Sequence, residues 1–206
     1  MDLRPDFENI RKTARHEEPE RVPLCEVLIE YPIQTKFLNR EVTADDLESQ
    51  LEFWMKAGYD FIPITVGMMT PGKVTQESAI SKVIREVMLK DSPDANNDKA
   101  WNLEYTSFIK TRKDFEKFPW EIAAKLDFSK FYEVRDMLPE GMKVIAVSGK
   151  IFTLTWMLMG FNDFSISLIM DERLVSDVFK KVAEIQFQGL EQIFEMPHVG
   201  AVWVVD

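Results

Sequence analysis

Four short apolar segments, rich in β-branched residues and bounded by Gly, Pro or charge, alternate along the chain with segments of helical period. They are residues 22–29 (VPLCEVLI), 61–67 (FIPITVG), 143–149 (KVIAVSG) and 201–206 (AVWVVD). Continuous apolar runs suit strands covered on both faces, so the pattern predicts four buried strands of a parallel sheet.

The intervening segments predict helices. Thr43 and Asp46 form a capping-box variant with Asp in place of the usual Glu, Leu47, Leu51 and Trp54 follow on one face, and Gly58 supplies a stop. Phe128, Phe131, Val134 and Leu138 recur at helical spacing before a Pro139-Glu140-Gly141 turn. Residues 152–168 read as one helix rich in Met and Trp, and Leu174, Val178, Val182, Leu190 and Ile193 mark a long amphipathic helix. Residues 68–119 break the rhythm with the polar run DSPDANNDK and a hairpin pattern through 101–109, and read as an insertion after the second strand. Strand–helix alternation of this kind points to an α/β fold with right-handed crossovers, read as one domain over residues 1–206. In such folds ligands sit beyond the carboxyl ends of the strands.

Four strands are half of what an eight-stranded TIM (β/α)8 barrel needs, and the last one closes at Asp206 without a covering helix. The expected architecture is therefore the first four strand–helix units of such a barrel. Its open strand edges call for a missing carboxyl-terminal half or a homo-oligomer.

Composition narrows the function classes. With 46 % hydrophobic, 12 % aromatic and 29 % charged residues, the chain of 206 residues is ordinary globular protein and neither disordered nor low in complexity. Asp and Glu total 35 against 25 Lys and Arg, a formal charge of −10 with no basic stripe, which argues against a nucleic-acid partner. The charged opening predicts no signal peptide, and no apolar run approaches the ~18 residues of a membrane helix. A single cysteine, Cys25, forms no internal disulfide and suits a reducing cytoplasm.

The residues His16-Glu17-Glu18-Pro19-Glu20-Arg21-Val22-Pro23 resemble the opening of the uroporphyrinogen decarboxylase-like superfamily. Ser148-Gly149, Trp156, Gly160-Phe161, Asp163-Phe164, the stretch from Leu168 through Asp171, Leu174-Val175 and the closing residues 202–206 are similar to the family's third strand end, following helices and next strand. The resemblance covers nearly all of this chain but only the amino-terminal part of the family's barrel, and it rests on the order and spacing of motifs that are individually weak. It implies either decarboxylation of uroporphyrinogen or cobalamin-dependent methyl transfer. A substrate with eight carboxylates needs fixed guanidinium forks, whereas the loop Glu30-Tyr31-Pro32-Ile33-Gln34-Thr35-Lys36-Phe37-Leu38 holds no arginine before Arg40. The methyltransferase-like branch fits better. It implies a small methylated substrate and a corrinoid carried by a partner protein, with the chain by itself short of turnover. A self-associating half-barrel without catalysis is the rival from another class. The thiol-activating members' zinc set, an H-x-C pair with a later cysteine, cannot come from this chain, because neither His16 nor His198 has a cysteine two residues on; zinc belongs to a longer parent.

Six residues carry the candidate chemistry. Glu26 and Asp206 are the catalytic candidates: the first is an acid inside an apolar strand, and the second ends a strand where barrel enzymes place reactive groups. Their alternatives are a carboxylate paired with a helix arginine or turned to water, and a cap on a following helix. Tyr31, Met68, Ser148 and Gly149 are the substrate- or cofactor-binding candidates. Met68 offers a soft apolar surface to a corrinoid or fills a core, and Ser148-Gly149 admits a ligand to backbone N–H groups or makes a tight strand-to-helix turn.

Overall fold

The computed structural model describes residues 4–67 and 107–206. Three strands, β1 (Phe61–Thr65), β2 (Lys143–Gly149) and β3 (Val199–Val205), form one sheet in the order β1-β2-β3. β1 and β2 are parallel, with Phe61 opposite Lys143 and Thr65 opposite Val147. β3 joins β2 through Val144 N donating to His198 O at 3.0 Å and Lys150 N donating to Val205 O at 2.5 Å, so both strands run the same way. The helices among the described residues are α1 (Glu8–Ala14), α2 (Tyr31–Leu38), α3 (Leu47–Lys56), α4 (Arg112–Lys117), α5 (Trp120–Ala123), α6 (Ser129–Arg135), α7 (Ile151–Met159), α8 (Phe161–Met170) and α9 (Glu172–Phe194).

This arrangement corrects the expected barrel: among the described residues it is a mixed α/β fold with a small three-stranded parallel sheet, and the first expected strand does not form. Residues 22–29 run without regular secondary structure, Val22 being 85 % exposed and Leu28 70 %. The local chemistry accounts for this. Pro23 has no N–H to give a ladder, and Glu26 in the middle of the run turns its carboxylate to the Tyr59 hydroxyl instead of entering an apolar layer.

The chain divides into two compact units. The first comprises Met1–Thr65, Phe128–Val147 and Ile193–Trp203. Its core joins Leu47, Leu51 and Trp54 of α3 to Phe61 and Ile62 of β1 and to Phe131 of α6, all buried. The rings of Trp54 and Tyr59 meet edge to face with centroids 4.6 Å apart. Asp46 is the cap of α3, its carboxylate accepting from Ser49 N at 3.0 Å, while Thr43 offers its carbonyl to Gln50. The cap thus sits one residue before the helix, as a simple Asp N-cap. Asp60, just ahead of β1, is wholly buried and accepts from Asp6 N at 2.7 Å and from the Arg21 guanidinium. Burial raises the Asp60 carboxyl, and the Asp6 N–H and Arg21 oppose that rise.

The second unit comprises Val66–Asp127, Ser148–Gln192 and Val204–Asp206. Leu154, Leu158, Met159, Leu174, Val178 and Val182 form its dry centre, the last three at the spacing that the apolar pattern of α9 predicts. The expected single helix over 152–168 is two, α7 and α8, parted at Gly160. Gly160 has φ +74°, and a β-carbon there would collide with the Ser107 hydroxyl, so the break requires a glycine.

Candidate functional site

Three predicted site residues, Ser148, Gly149 and Asp206, belong to the second unit and gather where β2 and β3 end. The strand-to-helix passage after β2 is abrupt. Gly149 has φ +109° and Lys150 has φ 59° and ψ 33°, two consecutive left-handed residues before α7 begins at Ile151. At Gly149 a β-carbon would stand 2.5 Å from the Val205 carbonyl oxygen, so only glycine lets β3 lie this close.

The Ser148 side chain is 5 % exposed, and among the described residues its hydroxyl has no hydrogen-bond partner. Beside it in sequence, the Gly149 carbonyl accepts from the carboxamide of Gln186, a residue of α9 that is 2 % exposed. Lys150 is half-buried, and desolvation holds its ammonium below the ordinary lysine range. Asp206 does not project freely. Its two carboxylate oxygens accept from Phe152 N and Thr153 N, each at 2.9 Å, so it caps α7 from a distant point of the chain, where a negative charge meets the helix's positive end.

The other candidates lie elsewhere. Glu26 and Tyr31 belong to the first unit. Glu26 is exposed and accepts from the Tyr59 hydroxyl at 2.5 Å, and burial together with that carboxylate pushes the Tyr59 phenol well above its usual range. Tyr31 opens α2 and is partly buried. Met68 and most of the expected insertion, with most of its hairpin, lie outside the described residues. Among the described residues, no three His, Cys, Asp or Glu side chains converge as a metal site would require. The two histidines are separately placed: His16 closes α1 in the left-handed conformation at φ 60°, and His198 is buried in the turn before β3.

Reading by residue type passed over Gln186. Its signal was present, since Val178, Val182 and Gln186 follow at intervals of four and place an amide on the buried stripe of α9. Arg21 and Asp60 were passed over as a pair because 39 residues separate them.

No protein-family model, curated protein or solved structure matches the chain. Among the described residues, no helix is long and apolar enough to cross a membrane.

Proposed function

We propose that the chain binds a small polar molecule where β2 and β3 end, and that it takes part in methyl transfer of the corrinoid-dependent kind known in the uroporphyrinogen decarboxylase-like superfamily. The sequence resemblance supports the chemistry, and one observation supports the place: the Ser148 hydroxyl is buried at the end of β2 and has no partner among the described residues. A buried polar group left so costs about 1–3 kcal/mol, and a ligand that bonds to it recovers that cost.

A corrinoid, when bound, supplies the methyl–cobalt chemistry. The residues fit a corrinoid presented by a partner protein better than one ligated by this chain, since exposed His16 ends a helix and His198 is enclosed before β3. Ser148 would hold a polar group of the substrate or of the corrinoid rim. Gly149 lets β3 pass close to the end of β2, and Gln186 and Asp206 fix the turn that follows Ser148.

The test is calorimetric titration of the purified chain with free methylcobalamin, alongside Ser148→Val. Saturable binding that weakens in the variant is the expected result. Absence of saturable binding by the unaltered chain, or equal binding by both proteins with folding intact by circular dichroism, overturns the reading.

A further inference from the structure

Within the first unit, the chain between Asp6 and Arg21 touches the amino ends of all three strands. Ahead of β1, one oxygen of Asp60, Oδ1, accepts from Asp6 N at 2.7 Å and from the Arg21 guanidinium, so the two ends of the segment meet on a single atom. Ahead of β2, the Gly141 carbonyl accepts from Phe7 N at 2.8 Å. At the second residue of β3, a β-carbon on Gly200 would stand 2.4 Å from the ring of Phe7, which is buried.

The segment is also closed on itself. The buried Asn9 donates from its carboxamide to Asp6 O at 3.1 Å and accepts from Glu20 N at 3.0 Å, which ties the start of α1 to the last residues before Arg21. Between these ties, Thr13 to Glu18 are exposed. Such a segment has a physical reason to move as one piece. Among the described residues, both donors to the Asp60 carboxylate come from it, and Asp60 is wholly buried. Releasing one end alone leaves an enclosed charge with one partner fewer, whereas releasing both lets water reach it.

We propose that residues 6–21 form a strap that opens and closes as a single unit over the amino ends of the strands, with Asp60 as the buckle for both of its ends and the Phe7 ring seated on Gly200. Opening bares the Asp60 carboxylate, the Gly141 carbonyl and a ring-sized seat on β3, while the core that joins α3, β1 and α6 stays packed. The methyl-transfer reading concerns the carboxyl ends of β2 and β3, and either stands without the other.

Amide hydrogen exchange of the full chain, followed by NMR at neutral pH, tests it. The amides of Asp6 and Phe7 at one end and of Glu20 at the other are each hydrogen-bonded, and they are expected to share one opening free energy, below that of Leu51 and Trp54 in α3. Gly200→Ala is the discriminating variant. Gly200 lies outside the left-handed region, so alanine fits its backbone, and the three atoms nearest the added methyl all belong to the Phe7 ring. Overpacking there is expected to speed exchange of Asp6, Phe7 and Glu20 by one common factor, roughly tenfold or more, with Leu51 and Trp54 unchanged. Phe7→Leu, which loosens the same seat without adding bulk to β3, is expected to give the same pattern. Faster exchange of Asp6 and Phe7 with Glu20 unchanged, an equal acceleration in α3, or no acceleration in either variant overturns the proposal.

Discussion

The Gln186 carboxamide in α9 donates to the carbonyl of Gly149 at the end of β2, 37 residues away in sequence. Both groups are shut off from solvent, so the bond stands where water cannot replace it. Gln186→Leu keeps the volume and strands the Gly149 carbonyl. The expected loss is about 1–3 kcal/mol, read as a lower urea midpoint with an unchanged slope. Gln186→Glu should fare no better, because a carboxylate presents an acceptor to an acceptor.

Asp206 invites a sharper comparison. As the cap of α7 it is expected to tolerate Asn, which keeps one acceptor oxygen, and to lose about 0.5–2 kcal/mol on replacement by Ala. A role in proton transfer would instead make Asn as damaging as Ala. Thermal unfolding of both variants, set beside their methylcobalamin binding, separates the two.

How much of this was legible in the sequence differs from element to element. β2 occupies the predicted residues 143–149, because a buried central strand is apolar along its whole length and its ends are set by charge and glycine. β3 begins at Val199, two residues before its predicted start, since Val199 and Gly200 extend the ladder without adding to the apolar run. The segment 22–29 shows what composition leaves out. Its β-branched residues suit a strand, yet the Glu26–Tyr59 contact and Pro23 decide against one, and a contact across 33 residues leaves no periodic trace. The end of β2 at Ser148 and Gly149 was readable in the sequence, whereas the partner of Asp206 was not. Which helix a terminal carboxylate reaches depends on packing, and here it is the helix that follows β2, not one that follows β3.

His198 makes stability depend on pH. Its imidazole is 8 % exposed, and burial holds it below its ordinary value. Arg135 and Lys143 push the same way, with the Phe131 backbone and Asp136 opposing. The folded chain therefore takes up the proton less readily than the unfolded chain, and stability falls as pH drops below about 6.5 until the lower folded value is passed. Urea unfolding between pH 5 and 7.5 should show this slope. His198→Gln should flatten it, and an unchanged slope in the variant would show that another group carries the dependence.

The Arg21–Asp60 pair is the most exacting electrostatic element of the first unit. Arg21→Met leaves the Asp60 carboxylate enclosed with Asp6 N as its remaining donor, at an expected cost of about 3–5 kcal/mol near neutral pH. Adding Asp60→Asn to Arg21→Met should restore part of the loss, because the group left behind no longer carries charge. Denaturant titrations of the single and double variants give the coupling directly.

Gly160 has a consequence for how the chain is handled as it emerges from the ribosome. The 9 residues of α7 and the 10 of α8 flank it, and together the stretch carries a single charge, Asp163. Drawn out as one straight helix at ~1.5 Å per residue, that stretch would measure about 30 Å, the thickness of a bilayer's hydrocarbon core. The left-handed glycine divides it into two short rods, so the greasiest part of the polypeptide folds back on itself locally and does not present one long face to an insertion channel.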